Sequence, residues 1–506
     1  MNELQQMAKR VLAQDPEVPI VEFQGASWSV GELRRLADQL DNLLAASGAD
    51  ARAPVVFIAR NQPASLAALL GLLRAGRSIQ MVYPFQSPAA IAANIVRLRP
   101  AVVIAAKPEF AKEVQEAARG LGASAIRIDE GEITAVPGFE RTNVTVPEGL
   151  PAEPQVEVLT SGTTGPPKHF PLSYSTIARH FVGGTDPLQK AAAADDGPPV
   201  LAYFPLGNVS GVYSVFAPLL QGKRIELLER FDVQAWRDHI VRYRPAWMGL
   251  PAALVAIVLD ADFPAEDLAS VKYFGSGAAA LDPEIHRAFE QRYPGKILLS
   301  YGATEFGGPV AMMSPDLAAE WGEKKFGSVG RTFGENRLRV VDPQTREALP
   351  AGEEGLLEVL SPRVSPDWIR TSDIAVIDED GFLYHRGRAD GAIMRGGFKI
   401  LPETIERALL LNPAVAMAAV TGIPDRRLGQ VPVAAIVAKD GVDRPGFDAL
   451  EAHLREHVLA THVPVAWRYV EALPRNLSMK IDRRAVAALF AGVCNANAEP
   501  QGFPDH

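Results

Sequence analysis

Over much of the chain before Pro309, short runs of apolar and β-branched residues alternate with longer stretches whose apolar positions recur at helical spacing. Residues 54–59 predict a strand, 64–75 a helix, 101–106 a strand and 110–121 a helix. The rhythm returns with strands predicted at 200–204, 224–228, 247–250, 271–274 and 297–301, and with helices at 212–220, 233–243, 252–259 and 283–292. Parallel neighbours need a crossover connection, so strand-helix alternation of this kind predicts a mostly parallel sheet flanked by helices.

Beyond Pro309 the texture changes. Segments 337–341, 355–360, 374–377 and 382–385 read as antiparallel strands, the last two joined at Asp380-Gly381, a dipeptide suited to hairpin turns. A compact tail follows, with helices predicted at 402–411, 447–457 and 483–490 and strands at 415–423 and 433–438. The expected fold class is α/β: a large N-terminal domain of mostly parallel sheets with a β-rich subdomain, then a small α+β domain. A boundary near Arg388 to Gly391 divides the chain into residues 1–389 and 390–506.

Length and composition narrow the class of protein. At 506 residues the chain holds about three folding units, or one large domain and a smaller one. Its 51 basic and 60 acidic side chains leave a net charge of −9, which argues against a general nucleic-acid binder, since that role needs cationic surfaces. Cys494, the single cysteine, excludes an internal disulfide, and no Cys/His cluster has zinc spacing. With no apolar core behind the MNELQQMAKR start, the expected compartment is the cytoplasm. Residues 197–222 carry no charge and are long enough to cross a bilayer, but Pro198, Pro199, Pro205, Gly207, Gly211 and Pro218 interrupt them. A buried strand, a turn and a buried helix are expected there, with no membrane span.

The strongest local signal is LTSGTTGPPK at 159–168, set after an apolar run and before a helical pattern starting near Ser173. It reads as a phosphate loop. Gly162 and Gly165 let the backbone turn its amides inward, while Thr160, Ser161, Thr163 and Thr164 add hydroxyls and Lys168 adds a positive charge. The spacing differs from the G-x-x-x-x-G-K-[ST] nucleotide loop, because two prolines precede the lysine.

Three further strings complete the set: YGATE at 301–305, RTSD at 370–373 and GRADGAIMRGGFKILPETIE at 387–406, followed by Lys480 in NLSMKIDR. In this order and over nearly the whole chain, they resemble the adenylate-forming superfamily of acyl-CoA synthetases, adenylation domains and beetle luciferases. The resemblance implies ATP, Mg²⁺ and coenzyme A as the small molecules used. In the implied reaction a carboxylate attacks the ATP α-phosphate, pyrophosphate leaves, and a thiol then displaces AMP. The first step makes chemical sense because a carboxylate is a poor acylating agent until its oxygen becomes part of a good leaving group.

Residue by residue, the resemblance gives the loop from Thr160 to Lys168 to the β and γ phosphates, Thr304 to the α-phosphate and Glu305 to Mg²⁺. Gly277, Ala278 and Ala279 match the small-residue segment against adenine, with Tyr301 and Gly302 on its other side. Asp373 matches the acceptor of both ribose hydroxyls, and Arg388 a neighbouring nucleotide contact. Lys480 matches the lysine that bridges carboxylate and phosphate during adenylation. Asp390 matches the hinge of a mobile small domain, whose rotation would bring Gly396 and Gly397 to a thiol channel. Ser372, Gly391 and Asn208 depart from the pattern, and Asn208 reads equally well as a helix cap.

The segments matching the family's acyl pocket supply Tyr203, Asn208, Val209, Tyr213, Trp247, Gly275, Gly302 and Gly307, mostly without charge. No aspartate lies between Leu201 and Gly222 to pair an α-ammonium, so a hydrophobic acid, aliphatic, alicyclic or aryl, is expected over an amino acid. Free CoA is favoured as acceptor because only the stretch from Lys480 to His506 follows the lysine motif. A carrier protein remains the alternative, a non-catalytic nucleotide binder is a further one, and a homodimer is compatible. The nine histidines, His169 and His180 included, show no pattern that needs a metal or nucleophile role.

Overall fold

The computed structural model describes residues 2–129, 131–145, 149–160, 168–183, 197–277, 279–389, 391–395, 398–425, 428–476 and 480–491. Strand-helix alternation in the first part builds a seven-stranded sheet. Its parallel centre runs Ser124–Asp129, Val102–Ala106, Val55–Ile58, Ile79–Met81 and Gln155–Thr160, with Glu132–Ala135 and Lys168–Ser173 as antiparallel edges. The helix Pro63–Ala75 is buried on every side from Pro63 to Leu73, because the helices Glu3–Leu12 and Val30–Ala46 pack over it. A helix that is apolar all round needs such cover.

A second sheet continues the pattern with Trp247–Gly249, Tyr273–Ser276 and Lys296–Ala303 in parallel, then Gly308–Met312 and Arg331–Thr332 antiparallel. A smaller sheet joins Val200–Ala202 and Ile225–Leu227 to the N-terminal hairpin strands Pro19–Phe23 and Ala26–Ser29. Residues 212–220, expected to form one helix, start as a wide helical turn at Val212–Phe216 and tighten at Ala217–Leu220. Among the described residues no helix is long and apolar enough to cross a membrane.

The antiparallel texture after Pro309 is a four-stranded sheet of Arg337–Val341, Glu354–Leu360, Ile369–Ile377 and Leu383–Arg388. Its last turn is the expected hairpin: Gly381 adopts φ +80°, and Asp378 Oδ1 accepts from the amides of Asp380 and Phe382. The next strand, Ile393–Arg395, opens a separate sheet with Phe398–Ile400, Gly429–Ala438, Val415–Asp425 and Ala466–Tyr469. Alternate residues of its long strands feed two cores. Ala418, Val420, Ala434 and Ile436 pack with Leu409, Leu450 and Leu454, while Ala419, Val431, Val433 and Ala435 pack with Val486 and Phe490.

Candidate nucleotide and acyl site

The strand Gln155–Thr160 ends beside the turn Thr304–Phe306, so the sequence-predicted phosphate loop begins against Thr304 and Glu305. The loop leaves from Thr160 and returns at Lys168, which face each other in an antiparallel pair. The return limb is therefore a strand, Lys168–Ser173, which no local pattern of residues signals. Pro171 within it is tolerated because this is the edge of the sheet. His169, on the same limb, bonds the carbonyl of Met81 through Nε2 at 2.8 Å and lies 3.1 Å from Arg97 through Nδ1. With Nε2 donating to a carbonyl, Nδ1 is left to accept from the guanidinium. Burial and the charge of Arg97 hold this imidazole below the usual histidine range, against the Met81 bond. Ser161, Gly162, Thr163, Thr164 and Gly165 lie outside the described residues, as do Ala278, Asp390, Gly396 and Gly397.

Thr304 is buried and Glu305 exposed, with the chain turning sharply at Gly307, φ +68°. Asp373 enters from the antiparallel sheet. Its strand partner is Arg388, a pairing reached through a register shift between Ile374 and Ala375 beyond the Gly381 hairpin, and the guanidinium comes within 3.5 Å of its carboxylate. Tyr301 Oη donates to Asp373 Oδ2 at 2.5 Å, and His385 Nε2 lies 3.4 Å from Oδ1. Burial pushes this carboxyl up, but His385, Tyr301 and Arg388 outweigh it and hold the group below the usual aspartate range. Burial and the Asp373 charge push the Tyr301 phenol far up. Arg388 is steered from the side by Ser372, whose hydroxyl accepts from Nη2 at 2.5 Å.

Lys480 arrives from the C-terminal unit. Asn476 brackets it, donating its amide to the Lys480 carbonyl and accepting the Lys480 amide on Oδ1. Burial and then Arg388 lower its pKa, while Glu305 and Asp373 raise it, so the ammonium feels the charged groups of the large domain. Nearby, Arg483 binds Glu406 at 2.7 Å and Glu403 at 3.0 Å. The second Glu403 oxygen faces Gly387, φ +140°, where a Cβ would come within 2.8 Å of it. Only glycine lets the strand Leu383–Arg388 pass so close.

On the acyl side, Tyr203 is buried, donates to the Gly249 carbonyl at 2.9 Å and packs against Phe204 and Phe231. Trp247 lies over Gly275, where a Cβ would come within 2.7 Å of its ring, and Ser300 lies as close to Gly277. Gly302 passes against the backbone of Gly308 and Pro309. Asn208 caps the turn Val209–Gly211, accepting from the Gly211 amide at 2.8 Å. Tyr213 reaches Gly307 and Gly308. Ala279 is exposed beyond the strand Tyr273–Ser276.

Sequence reasoning passed over His385 and Arg363. The first had a usable signal, since the Asp-Gly hairpin places Ala375 opposite His385, next to the RTSD aspartate. Arg363 had none, because a loop residue's target cannot be read from local pattern.

Residues 8–367 match the AMP-binding enzyme family and residues 404–480 its C-terminal domain. The chain belongs to the AMP-binding enzyme family, within the adenylate-forming superfamily. It is similar to a sulfoacetate–CoA ligase of Cupriavidus necator, 29% identical over 93% of this chain and 94% of that protein. It is also 29% identical to a 4-coumarate–CoA ligase-like protein of Oryza sativa, over 82% and 76% of the two chains. ATP-bound MatB from Rhodopseudomonas palustris shares the fold, with a TM-score of 0.80 at 22% identity over 97% of this chain and all of that one.

Proposed function

We propose that this enzyme is an AMP-forming acyl-CoA ligase, in which residues 1–389 bind ATP and the acid and residues 390–506 deliver the catalytic lysine. One observation carries the reading: Lys480, from the small unit, lies within electrostatic reach of Glu305, Asp373 and Arg388 of the large one. The CoA-ligase names of relatives that align along most of the chain support the choice of acceptor.

In the first step the acid's carboxylate attacks the α-phosphorus and the bond to the pyrophosphate oxygen breaks. Lys480 bridges carboxylate and phosphate as negative charge builds, and Thr304 donates to the α-phosphate. The phosphate loop up to Lys168 receives the departing pyrophosphate. Asp373, kept ionised by its donors, accepts from the ribose hydroxyls, and Tyr301 must share or release it for them to bind. Adenine lies between Tyr301 and the segment Gly277 to Ala279. Mg²⁺ is a hard cation that can be held by one carboxylate together with phosphate oxygens and water. Glu305, exposed and without a hydrogen-bonding partner among the described residues, would hold it, and the ion would offset phosphate charge.

In the second step the CoA thiol attacks the acyl carbon and AMP leaves, after the small unit turns about Asp390 to present Gly396 and Gly397. The acid has an apolar body, aliphatic, alicyclic or aryl, since Tyr203, Trp247 and the glycines of the pocket offer it no charge.

The test is acid-dependent pyrophosphate release with Mg-ATP over a panel of aliphatic, alicyclic, aryl and amino acids, with and without CoA. Release that rises with CoA and yields the acyl-CoA is expected for acids with apolar bodies. Release indifferent to CoA would move the acceptor to a carrier protein. ATP binding without release on any acid would overturn the ligase reading.

A further inference from the structure

Beside Gly307 and Gly308, in the segment that the family resemblance gives to the acyl pocket, Tyr213 donates its hydroxyl to the Gly307 carbonyl at 2.9 Å while its ring fills the space a Gly308 side chain would need. Behind it stands Arg363, on the loop after the strand Glu354–Leu360. Its Nη1 donates to Tyr213 Oη at 3.0 Å and approaches the Gly307 carbonyl at 3.4 Å, and its stem lines the space over Gly307. Arg363 is half-buried, and among the described residues no carboxylate pairs with it and no acceptor meets Nε or Nη2.

The ring of Phe333, 5.4 Å from the Arg363 guanidinium carbon, covers one face of it without removing its charge. His180 beside it is held below the usual histidine range by burial and then by the charges of Arg363 and Arg179, with Glu335 opposing. The neighbourhood of Gly307 is thus electropositive. A guanidinium drawn partly out of water gains most from an anion that takes its open donors, and its planar fork matches an oxyanion.

We propose that Arg363 is a specificity-determining residue that reads a second oxyanion at the distal end of the acid. The preferred substrates are then short acids with an apolar span between the carboxylate that is activated and a further carboxylate or sulfonate. This rests on the ligase reading above and deepens it.

The experiment compares matched acids, succinate against butyrate and glutarate against valerate, with sulfoacetate alongside, by acid-dependent pyrophosphate release in the full-length enzyme. A preference of about tenfold or more for the doubly charged acids is expected in kcat/KM. Arg363→Met should erase it, lowering kcat/KM for those acids at least about tenfold while singly charged partners hold or improve. Arg363→Lys should keep part of the preference, because it keeps the charge without the fork. An equal loss on both kinds of acid in both variants would make Arg363 a mere brace for Tyr213 and overturn the proposal. A wild-type preference for the singly charged acids would overturn it too. Silence on every acid, with ATP still bound, would instead remove the ligase reading on which it stands.

Discussion

The Asp373 pocket and the Lys480 turn each bring a charge into the same interior, by opposite means. Asp373 is 7% exposed, yet Tyr301, His385 and Arg388 all face its carboxylate, and its pKa falls in spite of burial. Lys480 is steered by its backbone bonds to Asn476, and its pKa falls because burial and Arg388 outweigh the two carboxylates. A buried cation that lacks close acceptors is costly until a partner arrives. On the proposed function, the large domain thus keeps its nucleotide site assembled, whereas the small domain carries a charge that is fully used only when carboxylate and phosphate are present. Preorganisation serves binding, and delivery serves a single chemical step.

Removing either side should break that comparison differently. Lys480→Ala is expected to have the largest effect, slowing adenylation by about a thousandfold. Thioester formation from a supplied acyl-adenylate should change far less. Equal losses in both half-reactions would assign the lysine to structure. Its pH dependence sharpens the point: the protonated ammonium is the working form, so adenylation falls as pH rises through a pKa set below the ordinary lysine range. Lys480→Arg should be slower but lose that alkaline limb. Asp373→Ala comes next, raising KM for ATP by about thirtyfold through the lost charge-assisted hydrogen bonds. There kcat at saturating ATP should fall much less, the reverse of the lysine result, and a pure kcat effect would overturn the ribose assignment.

How much of this was legible beforehand depended on distance along the chain. The hairpin at Gly381 brings the strand of Arg388 back along that of Asp373, although a register shift between Ile374 and Ala375 decides that these two residues pair, and the strand rhythm up to Tyr301 follows from periodicity. The two cores of the C-terminal sheet follow from alternation along its long strands. The strand Lys168–Ser173 escaped notice because a charge, a histidine and a proline dilute its pattern, and its pairing with Gln155–Thr160 rather than its own composition makes it a strand. Tyr301 and Asp373 belong to different sheets, so their hydrogen bond is a product of tertiary packing. The same holds for Arg363, whose partners Tyr213 and Gly307 lie in segments that no local signal connects to its loop.

Ser372 offers the mildest test of how firmly the large-domain side is held. Glycine is the residue the family motif leads one to expect there, and the serine adds one acceptor to the Arg388 guanidinium at 2.5 Å. That bond does not touch Asp373. It fixes where Arg388 points, and Arg388 both helps to keep Asp373 ionised and depresses the Lys480 pKa. Ser372→Gly should therefore raise KM for ATP only about threefold, as one neutral hydrogen-bond acceptor is lost. It should also displace the alkaline limb that belongs to Lys480, since the arginine loses one of the partners that fix it. If Arg388 swings away from the lysine, the limb moves to higher pH, because a repelling charge has gone. A change in KM with the limb unmoved would mean that Arg388 keeps its place without the serine, and that Ser372 acts on the nucleotide alone.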